Sequence, residues 1–257
     1  MSKPYLTVVV PCYNEHENLA RGVLEEMYAY LSRQDYAYEV LISDDGSSDN
    51  SRELVLERLP HLPGFRLLQN PHGGKPAALW AGILEAQGEV VLFTDMDQST
   101  PIDQLDRLLP RLAEGYPVVI GSRGTDRANF SPVRKLGSAV FRNFRRVLML
   151  RNISDTQCGF KAMRTDVARE LFAQLEVIQR PVQVTGWKVT AFDVELLYLA
   201  ERAGYPIAEE TVAWANRDVA RGKNKSYLGE SKEMATQVVR VKLNEWRGLY
   251  RQRRGRE

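Results

Sequence analysis

Asp95-Met-Asp97 sets two carboxylates one residue apart on a chain leaving an apolar, β-branched run, Val90 to Thr94. Both can reach one hard divalent cation and still leave oxygen positions open for a diphosphate. A cation so placed would neutralise charge building on a departing phosphate group. A surface turn can also carry Asp-x-Asp. The flanks argue against that, because Gln98-Ser-Thr-Pro101 reads as a helix start with proline near its first position.

Two further polar clusters follow β-like runs. Asp44-Asp-Gly-Ser-Ser-Asp49 has the composition of a tight turn with a helix cap at Ser48 or Asp49. A turn alone does not call for two adjacent acids at a strand end, Asp44 and Asp45, where a carboxylate can accept from a nucleobase N–H or ribose hydroxyls. Asn70-Pro-His-Gly-Gly-Lys75 lets backbone N–H groups approach a phosphate beside the Lys75 charge. It lacks the P-loop spacing, with Pro76 in place of the hydroxyl residue, and no G-x-G-x-x-G follows the first strand, which argues against ATPase and dinucleotide-binding readings. His16, His61 and His72 lie in unrelated segments without metal-ligand spacing and are assigned no role. Cys12 and Cys158 form no C-x-x-C pair, and the expectation for Cys158 is a buried, inert thiol.

The elements that must position these residues read as alternating strands and helices. Strands are expected at Leu6 to Val10, Glu39 to Ile42, Phe65 to Leu68, Val90 to Thr94 and Val118 to Ile120, with helices at about 16–32, 49–59, 75–86 and 101–113. That alternation implies right-handed crossovers, a mostly parallel sheet flanked by helices, and a site at the carboxyl ends of the strands. The second half reads less regularly: a basic helix near 131–151, a turn at Asp155 to Gly159, a helix near 192–203 and a last one from about 230 to 250.

A chain of 257 residues with 44% apolar and 26% charged side chains can bury a sizeable core. A formal charge of +2 is too small for the whole surface to attract nucleic acid or membrane, so such roles would fall to local clusters. One cluster runs from Arg134 to Arg151, with six basic residues and no acid, and with Leu136, Val140, Phe141, Phe144, Val147 and Leu148 at helical spacing. The last helix repeats the pattern with Met234, Val238, Val241 and Trp246 against Arg240, Lys242 and Arg247. Both read as interfacial amphipathic helices that anionic lipid would attract, although such stripes also pack on a protein's own core. No nucleic-acid recognition motif accompanies the charges. The start shows no signal-peptide pattern and no stretch is apolar enough to span a bilayer. The expected location is the cytoplasm, peripheral to the cytoplasmic membrane face.

Taken in order, Thr7-Val-Val-Val-Pro-Cys-Tyr-Asn-Glu15, Asp44 to Asp49, Asp95-Met-Asp97, Gly121-Ser-Arg123 and Asp155-Thr-Gln-Cys-Gly-Phe-Lys161 give the chain a pattern that resembles the inverting family 2 glycosyltransferases. Within them it is similar to the polyprenyl (dolichyl) phosphate sugar synthases, and Phe93 to Pro101 with Phe192-Asp-Val-Glu-Leu-Leu197 points to the dolichyl-phosphate β-glucosyltransferase branch. The resemblance covers about residues 5–215 and implies a single GT-A (Rossmann-like) α/β domain over 1–215. The remainder, 216–257, would hold a basic loop, an amphipathic helix and a tail. It further implies a nucleotide-sugar cradle from Pro11, Tyr13, Asn14, Glu15, Asp44, Asp45, Lys75, Asp95 and Met96, and Mg²⁺ or Mn²⁺ at Asp95 and Asp97. Arg123 and Asp155 would stand near the donor sugar and acceptor. UDP-glucose is the first expected donor and GDP-mannose the second.

The expected chemistry is direct displacement by a polyprenyl-phosphate oxygen, with Asp97, Arg123, Asp155 and Asp193 as the catalytic set. A phosphate monoester is already largely ionised at pH 7 and needs no strong base. A hydroxyl acceptor would need one, for which Asp193 or Glu195, on either side of Val194, are candidates.

Overall fold

The computed structural model describes residues 3–124, 150, 153–180, 192–220 and 227–250, with only the backbone course given for 227–235. Seven strands form one sheet: β1 Leu6–Cys12, β2 Tyr38–Asp44, β3 Phe65–Gln69, β4 Val90–Phe93, β5 Val118–Ser122, β6 Lys161–Arg164 and β7 Ile207–Thr211. Their order is β3-β2-β1-β4-β6-β5-β7. Pairing is parallel except where β6 runs antiparallel between β4 and β5. The expected mostly parallel sheet is therefore present, with β6 and β7 as strands the sequence reading missed. β6 is four residues with charged ends, Lys-Ala-Met-Arg, too short and too polar at its edges to show a period.

Apolar residues alternate across the sheet because successive strand side chains point to opposite faces. On one face Val9, Leu41, Val91 and Met163 pack under α4 (Lys75–Glu85), α6 (Thr165–Phe172) and α8 (Phe192–Arg202). On the other, Val8, Val10, Val40 and Leu92 pack under α1 (His16–Ala20), α2 (Val23–Leu31), α3 (Ser51–Arg58) and α5 (Leu105–Ala113). The helix expected over 16–32 is two helices, because Gly22 adopts a left-handed φ of 88° that ends α1 and turns the chain into α2.

A short helix, α7 (Glu176–Gln179), leads toward α8, and α9 (Tyr227–Trp246) closes the described chain. Val238 and Val241 of α9 are buried in the same core as α8, so half of the stripe read as membrane-facing serves internal packing. A different stripe stays outside: Val239, Leu243 and Trp246 recur at i, i+4 and i+7, and Trp246 is 81% exposed. The basic helix expected near 131–151 lies outside the described residues, apart from its near-terminal Leu150, which is buried. No helix among the described residues is long and apolar enough to cross a membrane.

Candidate active site

Pro11 and Cys12 end β1, Asp44 ends β2, and Asp95 and Arg123 follow just after β4 and β5, so parallel pairing brings these residues to one rim. Because β6 is antiparallel, its beginning arrives at that rim as well, carrying the Asp155–Gly159 turn and Lys161. α4 and α8 start there with Lys75 and Asp193.

The Asp45 carboxylate closes the loop before α4. It accepts the N–H groups of Gly73 at 2.8 Å and Gly74 at 2.9 Å and meets His72 Nδ1 at 2.9 Å. Burial pushes this carboxyl above its ordinary range, against the pull of those donors. The His72 ring stacks on Tyr13, centroids 4.3 Å apart and planes 17° off parallel. A histidine given no role at first therefore packs against two of the expected cradle residues, Asp45 and Tyr13. The available signal was its place in the glycine loop beside Lys75.

Asp44 and Asn14 build this loop from within. Asp44 is fully buried and accepts from Arg52 Nη2 at 2.6 Å as well as from the N–H groups of Gly46 and Ser47. Asn14 holds a left-handed φ of 53°, and its Oδ1 accepts the Ser48 N–H at 2.9 Å. Glu15 is buried, with Oε2 accepting from Asn18 at 2.6 Å. Met96 is buried in the core beneath the rim. These four shape the cradle through contacts inside the protein.

Around the acidic pair the charges are matched. Lys75 Nζ donates to Asp95 Oδ1. Partial desolvation opposes the Lys75 charge, but Asp95, Asp193 and Asp97 outweigh it and hold the ammonium above its usual range. Arg123 grips Asp155 with a two-pronged bond, Nε to Oδ2 at 2.7 Å and Nη2 to Oδ1 at 2.8 Å, while Glu209 accepts the Asp155 N–H at 2.8 Å. The Arg123 guanidinium also lies 5.7 Å from the Trp214 ring centroid. Lys161 Nζ donates to Asp193 Oδ1 at 2.6 Å.

Asp97 differs from these three acids. Its Oδ1 accepts the Ser99 N–H at 2.8 Å. Burial, then the Asp95 charge, push its carboxyl above the usual range. A half-buried carboxylate whose charge an adjacent acid opposes is one that a divalent cation would relieve, and Asp95 with Asp97 fit that ion as two protein ligands. Among the described residues no group of three or more His, Cys, Asp or Glu is placed to hold a metal alone. The remaining shell would come from the substrate diphosphate and water.

A strap, residues 213–220, crosses the rim and was not expected from sequence. Ala215 N–H donates to Ser99 O at 2.9 Å, Arg21 Nη1 to Arg217 O at 2.6 Å, and Asn18 Nδ2 to Asp218 Oδ1 at 3.1 Å. Arg21 also donates to the backbone carbonyl of Asp97, tying the strap to the acidic loop.

Glu195 was a candidate base, but it points away from the rim. It is buried and accepts the Glu176 N–H at 2.9 Å and the Tyr250 hydroxyl at 2.8 Å, within a network joining α7, α8 and the turn after α9. Cys158 is buried, its thiol pushed up by burial, as expected of an inert group.

An α/β sheet with one antiparallel strand, an acid pair after β4 and a glycine loop opening α4 defines a glycosyltransferase of the GT-A fold. The chain belongs to glycosyl transferase family 2, whose description matches residues 7–172. It is similar to a dolichyl-phosphate beta-glucosyltransferase of Trichomonas vaginalis, 33% identical over 97% of this chain and 74% of the relative. The enzyme of that name from Dictyostelium discoideum is 33% identical over 96% and 76%, and that from Saccharomyces cerevisiae 27% over 96% and 77%. Among solved structures, glucosyl-3-phosphoglycerate synthase from Mycobacterium tuberculosis superposes with a TM-score of 0.62 at 20% identity, covering 94% of this chain and 79% of that one. The same enzyme in complex with Mn²⁺, uridine diphosphate and glucosyl-3-phosphoglycerate gives 0.59 at 21% identity over the same shares. At this identity the likeness is one of fold.

Proposed function

We propose that the protein transfers glucose from UDP-glucose to a polyprenyl phosphate at a membrane surface, with inversion and with Mg²⁺ or Mn²⁺ at Asp95 and Asp97. The observation that carries this reading is the state of the acids at the rim. Asp95, Asp155 and Asp193 are each already held by a cation, and Glu195 faces the core. A hydroxyl acceptor needs a carboxylate ready to take a proton, whereas a phosphate monoester arrives ionised and needs cations to receive it. The names of the curated relatives agree with a lipid-phosphate acceptor and a glucosyl donor.

In the proposed step an acceptor phosphate oxygen forms the new bond to the anomeric carbon. The bond from that carbon to the β-phosphate oxygen breaks, and its electron pair leaves with UDP. When bound, the divalent cation supplies charge neutralisation to the leaving diphosphate. Lys75, at the start of α4, is placed to hold the same diphosphate, and Asp45, Tyr13 and His72 to seat the nucleoside. Arg123, its planar guanidinium oriented by Asp155 and Trp214, receives the acceptor phosphate. Asp193 balances the neighbouring cations Lys75 and Arg123. The exposed stripe of Val239, Leu243 and Trp246 supports contact with a membrane surface.

Transfer of radiolabelled sugar from UDP-glucose, and in parallel GDP-mannose, to a short polyprenyl phosphate in detergent tests the proposal. Metal-dependent lipid-linked product from UDP-glucose, lost in Asp97→Ala, is expected. Donor binding without lipid-linked product, or transfer to a hydroxyl acceptor alone, would overturn it.

A further inference from the structure

Lys161 is one of the largest fully buried side chains of the molecule, and it lies on β6 between apolar strands, its Cα paired with those of Phe93 and Ile120. Ala162 packs on the opposite face and Met163 belongs to the core on the α8 side, so Lys161 occupies a position where the pleat would accept a methionine or leucine. An apolar residue there would commonly be as stable as a buried ion pair or more so, because removing both charges avoids their desolvation. Packing alone therefore does not call for a lysine.

The ammonium has two fixed partners: it donates to Cys158 O at 2.5 Å and to Asp193 Oδ1 at 2.6 Å. The first pins the lysine to the turn whose Gly159 lies against Asp95, and the second pins the first turn of α8. Asp193 in turn is close enough to Lys75 and Arg123 to act on both electrostatically. Lys161 is thus buried beneath the exposed rim groups, joined to them through Asp193 and through the Cys158 carbonyl of the Asp155–Gly159 turn.

We propose that Lys161 is a positioning residue for the acceptor: it neutralises and fixes Asp193 so that an anionic phosphate can be received beside that carboxylate. The inference rests on the phosphate-acceptor reading above. Without Lys161, the Asp193 charge would face an incoming dianion directly and would draw Arg123 toward itself, while Lys75 stays held by Asp95. Repulsion of this kind acts on the acceptor, while the nucleoside end of the donor, seated at Asp45 and Tyr13, is spared.

The experiment compares Lys161→Met, which removes charge and donor, with Lys161→Gln, which keeps a donor toward Cys158 O and Asp193 but removes the charge. Steady-state kinetics use UDP-glucose and a short polyprenyl phosphate, with thermal melting measured on the same samples. Both variants are expected to raise the acceptor KM about 10-fold or more while the donor KM stays within about 2-fold. Should Lys161→Met fail to fold, Lys161→Gln carries the test alone. An unchanged acceptor KM in Lys161→Gln, whatever the melting temperature, overturns the inference, as does an equal rise in both KM values. If the wild-type protein makes no product from polyprenyl phosphate, it is the phosphate-acceptor reading that has failed, and the inference falls with it.

Discussion

Gly159 lies against the carboxylate of Asp95: a Cβ built on that glycine would stand 2.1 Å from Asp95 Oδ2. The turn before β6 and the acid after β4 therefore share a space that only a glycine leaves open. Gly159→Ala is expected to swing the Asp95 carboxylate out of place. Since the Asp95 side chain is partly exposed and the clash falls on its carboxylate end, the displacement is taken up toward solvent and the fold should lose no more than about 1 kcal/mol. Misplacement of a reacting-site group by about 1 Å can cost roughly 100-fold in rate, and a loss of that order in metal-dependent transfer is the expected result. Transfer within about 3-fold of wild type would mean that Asp95 does not act in the position described.

That contact also marks the boundary of what a linear reading could see. Asp95, Asp97, Asp44, Asp45 and Lys75 each follow or open an element whose local pattern is plain, so their shared rim followed from a parallel sheet. Three relationships that make the site chemically specific are not local. Arg123 with Asp155 and Lys161 with Asp193 each span 32 residues, and Arg21 meets Arg217 across 196. Nothing in the spacing of these residues announces the pairings: the first two arise because the short β6 enters the sheet backwards, and the third because the strap crosses the rim. Glu195 looked equivalent to Asp193 in sequence, but helical geometry sends residues two apart to different faces of α8. One found Lys161 and the rim; the other found Tyr250 and the core.

Asp97→Asn separates the metal role from the fold. The side chain keeps its size and its acceptor toward the Ser99 N–H, but loses a charge that burial and Asp95 both oppose. Stability at neutral pH should hold or rise slightly. Loss of several kcal/mol of charge stabilisation corresponds to a fall of about 100-fold or more in transfer. Calorimetric titration with Mn²⁺ in the presence of UDP should show weakened binding in the same variant. A variant that retains wild-type Mn²⁺ affinity would remove Asp97 from the cation site.

The Glu195 network makes a prediction about pH. Burial pushes the Glu195 carboxyl above its ordinary value in the folded protein. The folded state therefore binds the proton more tightly than the unfolded chain does. The cost of ionising Glu195 is absent below the ordinary glutamate range, grows as pH rises toward the folded-state value, and is complete above it. Glu195→Gln does not titrate, so its stability relative to wild type should improve as pH is raised through that window. Denaturant melts of both proteins from about pH 4 to pH 8 measure the difference. A gap that is constant with pH, or one that closes as pH rises, would contradict the assignment. The donor and acceptor KM values of Glu195→Gln should stay near those of wild type, since the network lies behind α8.

Trp246 offers the test of membrane contact. It ends α9 at 81% exposure, in line with Val239 and Leu243, whereas Val238 and Val241 on the inner side are spent on the core. Arg240 and Lys242 are paired with Glu176 and Glu245. Their attraction for anionic lipid is thereby reduced, and the apolar stripe must supply most of the binding by this helix. Burying a large apolar side chain contributes about 1.5–3 kcal/mol, so Trp246→Glu should weaken association with phosphatidylglycerol-containing vesicles by roughly 10-fold or more. The substitution falls on an exposed position, so thermal stability should change by less than about 0.5 kcal/mol. Turnover with a short, detergent-soluble acceptor should be unaffected, because none of the three stripe residues belongs to the rim. Vesicle sedimentation and the detergent assay on one preparation distinguish the possibilities. Weaker sedimentation with intact detergent turnover places α9 at the lipid surface, and unchanged sedimentation removes it.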